Sequence, residues 1–165
     1  MIFRLAKLGD IPQIMPMFED AVARMLREGK QQWDNTYPSF SHILEDVNSG
    51  NGYVMTEGDT VVAYGAVVFT GEPAYEGLKG EWLTDGPYVV IHRIVVAQRS
   101  QGHGIATTFF KMVEKLASEK GIVGFRIDTN FDNYQMLHLM EKCDFEYCGE
   151  VSYERGERKA FEKLI

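Results

Sequence analysis

The sequence predicts an α/β domain: a mixed, mostly antiparallel central sheet with helices on both faces and one parallel βαβ crossover. Three observations predict it. A β-rich hairpin, Tyr53–Glu57 and Thr60–Thr70, turns on Gly58-Asp59, a pair suited to a tight turn. The apolar strand Tyr88–Val96 passes through a glycine-rich turn into an amphipathic helix and then a further strand. That order makes a right-handed parallel crossover. Two closing strands, Phe145–Val151 and Arg158–Leu164, flank Glu154-Arg155-Gly156-Glu157.

The elements follow in order. Ile2–Ala6 reads as a short strand. Asp10 is expected to cap a helix that carries Pro12 in its first turn and ends before Gly29. Its apolar residues Ile11, Ile14, Met15, Phe18, Val22, Met25 and Leu26 share one stripe. A shorter helix runs from Ser39 or Ser41 to Val47, stopped by Asn48-Ser49-Gly50. Gly71 to Gly86 has no clear period, and so long a loop is usually functional or mobile.

After the hairpin and the apolar strand, Ile105, Phe109, Met112, Val113, Leu116 and Ala117 form the stripe of the next helix. Lys111, Glu114, Lys115 and Glu119 lie mainly on its opposite face. Gly121 ends it, and Ile122–Asp128 is the next strand. A last helix starts at Asp132, with Gln135 completing a capping box, and turns Met136, Leu137, Met140 and Cys143 inward.

At 165 residues the chain fits one domain, taken as residues 1–165. Hydrophobic residues at 45% and charged ones at 25% mark a globular chain rather than a disordered one. The net charge of −7 argues against nucleic-acid binding, which depends on neutralising phosphates. Cys143 and Cys148 match no metal-ligand spacing and read as buried free thiols, so no metal is expected. The longest uncharged, proline-free stretch near the middle of the chain, Thr60 to Gly71, is far short of the ~20 residues that span a bilayer. The N-terminus places Arg4 and Lys7 where a signal peptide needs an apolar run. The expectation is a cytoplasmic protein without a membrane partner.

The stretch that carries chemistry is Arg99-Ser100-Gln101-Gly102-His103-Gly104-Ile105-Ala106, between an apolar strand and a helix N-terminus. Glycines let the backbone approach a ligand, and first-turn amides with the helix dipole make an anion site suited to a pyrophosphate. A plain tight turn is the alternative. A P-loop is excluded, because no Gly-Lys-Ser/Thr occurs. A dinucleotide fingerprint lacks its third small residue and sits on the wrong strand, although Asp128 ends the following strand as a ribose-binding acid would.

These residues resemble the GNAT superfamily of acyl-CoA-dependent N-acyltransferases. Arg99, Gly102 and Gly104 after a hydrophobic strand meet the pattern [Q/R]-x-x-G-x-[G/A]. Asn133 through Phe145 approximates the second family element, with Glu141-Lys142-Cys143-Asp144-Phe145 in frame and Asp144 where glycine is usual. The order of elements matches over nearly the whole chain. The resemblance implies a GNAT fold and an N-acetyltransferase moving an acetyl group from acetyl-CoA to a primary amine of a small molecule or peptide. It also implies a possible homodimer. By position, the backbone of Ile94, Val95 and Val96 would pair with the pantetheine arm. The amides of Gln101, Gly102, His103, Gly104, Ile105 and Ala106, with Arg99, would hold the pyrophosphate. Asn133 would reach the pantetheine, unless it only caps its helix.

Direct attack of a neutral amine on the thioester needs a base, a stabilised oxyanion and a proton for the thiolate. His92 lies on the central strand where many family members place an acidic base, and a free imidazole titrates near neutrality. A histidine simply packed in the sheet is the alternative. His42, His103 and His138 show no metal spacing. The tyrosine usual seven residues after the asparagine is Met140, which leaves Tyr134, Tyr147, Tyr153 or water as the acid. Met140 also motivates a second class, a non-catalytic acyl-CoA-binding module; a dinucleotide-binding protein is a third.

Residues 29–40 and 71–86 carry Trp33, Tyr37, Phe40, Tyr75 and Trp82 with Asp34, Glu72, Glu76, Glu81 and Asp85. Ring faces and carboxylates there would suit a cationic amine, or else form a peripheral mini-core. A polyanionic donor on an acidic protein needs local amides, and the acidic excess then falls to the acceptor side.

Overall fold

In the computed structural model, which describes residues 1–165, the chain forms two compact units. Met1–Val67 and His92–Met112 make the first; Val68–Ile91 and Val113–Ile165 make the second. Eight strands and four α-helices build them, and the strands are mostly antiparallel with one parallel pair. This is the mixed sheet the sequence predicts.

In the first unit the strand order is β1 (Ile2–Leu5), β2 (Gly52–Glu57), β3 (Thr60–Val68) and the second half of β5 (Tyr88–Val96). β1 pairs with β2 from Ile2↔Thr56 to Leu5↔Tyr53, and the β2–β3 hairpin shifts register between Met55 and Thr56. Helix α1 (Ile11–Arg27) buries Ile11, Ile14, Met17, Phe18, Ala21, Val22 and Met25, a 3.6-period stripe. Leu26, predicted inside, is exposed. Phe18 packs on Trp33 at 5.4 Å and on Tyr64 at 5.8 Å.

Asp10 stands at the N-cap position of α1, but its side chain makes no cap bond there. Its carboxylate closes the preceding 3-10 turn by accepting from Lys7 N at 2.7 Å, and it forks onto Arg4 at 2.7 and 2.9 Å. Two charge-assisted bonds outweigh one cap. Helix α2 (Phe40–Asn48) starts at Ser39, whose amide donates to His42 Nδ1 at 3.0 Å in a capping box. His42 is thus a local structural residue.

In the second unit the order is the first half of β5, then β6 (Gly124–Thr129), β8 (Gly156–Leu164), β7 (Glu146–Tyr153) and β4 (Lys79–Gly80). β5 and β6 are the parallel pair, in register from Tyr88↔Gly124 to Val90↔Arg126. The crossover helix α3 (Ile105–Glu119) ends in a Schellman motif: Gly121 takes φ 74, with Gly121 N on Ser118 O and Ile122 N on Ala117 O. Ile122 is thereby spent on the cap, so β6 begins at Gly124 rather than at Ile122.

Helix α4 (Tyr134–Lys142) is capped by Asn133, whose Oδ1 accepts from Met136 N at 3.3 Å, not by Asp132. Asp132 instead accepts from Asn130 Nδ2 at 2.6 Å. Cys143 and Cys148 are free and buried, and burial raises the Cys148 thiol above its ordinary range.

The stretch from Gly71 to Gly86 is not featureless. It holds a 3-10 turn, Pro73–Gly77, and the edge strand β4. Gly80 faces Gly149, and a Cβ on either would lie within 2.2 Å of the opposing backbone oxygen, so both must be glycine.

Candidate active site

The first unit places a buried charge in the middle of β5. Seven of its nine residues are apolar or aromatic, so Arg93 demands a partner there. Asp46 of α2 supplies it: Arg93 Nε reaches Asp46 Oδ2 at 2.9 Å and Nη2 reaches Oδ1 at 2.6 Å. Tyr64 Oη of β3 donates to Asp46 Oδ2 at 2.6 Å, and Arg93 Nη1 donates to Tyr37 Oη at 2.9 Å. Burial opposes the Arg93 charge, but the bonds to Asp46 and Tyr37 more than offset it and raise its pKa. Burial, then the Asp46 charge, raises the Tyr64 hydroxyl far above the phenol range, so it remains a donor.

Arg93 also has φ 54, a left-handed conformation that side-chain-bearing residues rarely adopt. The bidentate pair and the phenol hold it there. Strain of this kind persists only where neighbours over-determine it. Tyr37 belongs to residues 29–40, so the clamp ties that segment to β5. Trp33 of the same segment is core, whereas Phe40 is exposed.

Beyond Val96 the chain turns through Ala97–Ser100 and enters α3. Gly102 and Gly104 take φ 80 and 73, and a Cβ on either would meet nothing within 4 Å. Backbone conformation, not crowding, requires glycine here, and the space above the turn is open. Gly104 O accepts from Thr108 N at 3.0 Å, which opens the helix and leaves the amides of Ile105, Ala106 and Thr107 without intrahelical acceptors. His103 Nδ1 lies 3.3 Å from Ser100 O. Arg99 is exposed, 3.4 Å from Val61 O, beside a groove of about 600 Å³ that it shares with Gln13 and Asp20. His92, Ile94 and Val96 are half-buried on β5 and Val95 is buried. The first unit thus brings together every predicted site residue except Asn133, which belongs to the second unit and caps α4.

In the second unit the predicted aromatic groups are already engaged. The Arg126 guanidinium lies 4.2 Å from the Trp82 ring centroid and 3.9 Å from that of Tyr88. Its Nε meets Glu162 Oε2 at 2.8 Å, and Glu162 Oε1 accepts from Leu83 N at 2.6 Å. Trp82 and Tyr88 therefore bind the chain's own cation rather than offering these faces to a ligand. Tyr75 is buried and donates to Asp128 Oδ2. Met140 is fully buried, Tyr134 and Tyr147 are exposed, and Tyr153 donates to Asp128.

Sequence reasoning missed Arg93, Asp46 and Tyr64. The one available signal was an arginine inside an apolar strand.

The acetyltransferase (GNAT) family profile matches residues 16–145. An acetyltransferase of the GNAT family from Streptococcus agalactiae is 33% identical, with 99% of this chain and 95% of that one covered at a TM-score of 0.89. A GNAT-family acetyltransferase from Listeria monocytogenes shares the fold at 20% identity, 99% and 94% coverage and a TM-score of 0.77. So does yncA, a putative acetyltransferase from Salmonella typhimurium determined with its cofactor acetyl-CoA, at 14% identity, 99% and 92% coverage and a TM-score of 0.69. No curated protein sequence matches the chain. No helix is long and apolar enough to cross a membrane. The profile match and the Streptococcus agalactiae relative establish that the chain belongs to the GNAT acetyltransferase family.

Proposed function

We propose that the protein transfers the acetyl group of acetyl-CoA to a primary amine of a small molecule or peptide. The observation that carries this reading is the Gly102–Ala106 turn. It has left-handed glycines, open space above them and free first-turn amides at a helix N-terminus, which fit a pyrophosphate. Arg99 adds positive charge close by in sequence. The parallel ladder of β5 stops at Val90 while the strand runs on to Val96. Ile94, Val95 and Val96 then offer backbone groups to the pantetheine amides, as an added strand would take them.

In the reaction the amine nitrogen bonds to the thioester carbon, the carbon–sulfur bond breaks, and the thiolate leaves. One proton passes from nitrogen to a base, and the sulfur takes one from solvent. His92, on β5 next to Arg93, is the base in this reading. Buried Met140 has no proton to give, so no side-chain acid is assigned.

Isothermal titration with acetyl-CoA and with NADH tests the cradle. Acetyl-CoA should bind, NADH should not, and Gly104→Val should weaken acetyl-CoA at least tenfold in a folded variant. Binding of NADH but not acetyl-CoA, or an unchanged affinity in the variant, would overturn the assignment.

A further inference from the structure

The second unit converges on one carboxylate. Tyr75 Oη donates to Asp128 Oδ2 at 2.7 Å and Tyr153 Oη donates to the same oxygen at 2.8 Å. The three residues come from the 3-10 turn before β4, from β6 and from the end of β7, so the arrangement is a product of tertiary folding. Burial, then the Asp128 charge, holds the Tyr75 hydroxyl well above the phenol range, and it stays a donor. Two donors on one oxygen fix the carboxylate's orientation. They leave Oδ1 accessible, since no side-chain oxygen is both sealed from solvent and unpartnered.

Charge balance singles this group out. Two positions earlier on β6, Arg126 has its charge met by Glu162 and its faces covered by Trp82 and Tyr88. Asp128 is held by neutral phenols alone. Tyr75 in turn packs against Trp82 at 5.1 Å and Tyr88 at 6.1 Å, the rings that cover Arg126, so its hydroxyl is held in place. A half-buried carboxylate aimed by two phenols and without a cation of its own suits a cationic ligand.

We infer that Asp128 receives the acceptor, with Oδ1 accepting a hydrogen bond from an ammonium group of the acceptor other than the amine that reacts, and with Tyr75 and Tyr153 acting as positioning residues. This rests on the acetyl-transfer reading above. It assigns the acceptor to a class: cationic amines, in preference to neutral or anionic ones.

The test compares the wild type, Asp128→Asn and Tyr153→Phe, each checked for an intact thermal transition. Thiol release is followed against 1,4-diaminobutane and a panel of primary amines, and acetyl-CoA affinity is measured separately. Asp128→Asn should raise KM for the best amine tenfold or more while the acetyl-CoA Kd holds. Tyr153→Phe should move KM the same way by less. Unchanged amine KM in both folded variants, or a loss confined to kcat, would overturn the inference. If the wild type binds acetyl-CoA yet releases no thiol with any amine, the transfer reading fails instead. Direct titration of 1,4-diaminobutane then decides: weaker binding to Asp128→Asn supports the carboxylate's role, and equal binding overturns it.

Discussion

Arg93 meets Asp46 through two parallel contacts, Nε to Oδ2 at 2.9 Å and Nη2 to Oδ1 at 2.6 Å, with both side chains largely withdrawn from water. The pair joins α2 to the one residue of β5 whose backbone is left-handed. Local strain in the central strand is therefore tied to a helix that forms from its own capping box.

Removing one partner leaves a buried charge uncompensated. Asp46→Asn should cost about 3–5 kcal/mol, read as a lower denaturant midpoint. Tyr64→Phe, which deletes one donor to the carboxylate, should cost about 1–3 kcal/mol. A loss below 1 kcal/mol in Asp46→Asn would mean that the clamp does not hold the strand.

Asp10 gives the stability curve an acid limb. The hydrogen bonds from Arg4 lower its folded pKa below the unfolded value. The stabilisation is therefore fully present above about pH 3.9, the ordinary carboxylate value, and is lost as pH falls through the lowered folded one. Thermal melts in that window should show a steeper acid decline for the wild type than for Asp10→Asn. Parallel curves would contradict the pairing.

Asp144 stands at φ 66 where α4 ends, with Phe145 N on Met140 O and Asp144 N on Glu141 O. This is a Schellman cap built with a side-chain-bearing residue. Asp144→Gly should raise stability by about 1 kcal/mol, because glycine takes that conformation without steric cost. A destabilised variant would show that the Asp144 side chain contributes something the cap geometry does not.

The cap also shows what a sequence reveals. Local signals were readable: the Gly58-Asp59 hairpin, the apolar stripes of α1 and α3, and the glycine-rich turn that joins β5 to α3. Failures came where side chains found distant partners. Asp10 takes the N-cap position, but its carboxylate pairs with Arg4. Trp82 and Tyr75 read as a binding surface or as a mini-core, and Arg126 and Asp128 engage them from distant parts of the chain. Arg93, Asp46, Tyr64 and Tyr37 span 56 residues between Tyr37 and Arg93, and no periodicity connects them.

His92 carries the proposal's base. A base must be neutral to take the proton, so wild-type kcat/KM should fall toward acid pH. His92→Ala should lose about 10²–10⁴ in rate and also lose that limb. An unchanged pH profile would remove His92 from the chemistry.

The most direct test of the central claim is thiol release from acetyl-CoA across a panel of primary amines, with the products identified by mass spectrometry. Amine-dependent release, matched one-for-one by an N-acetylated product and favouring cationic acceptors, is the predicted result. Tight binding of acetyl-CoA with no amine-dependent release and no acetylated product would contradict it and leave a binding module in its place.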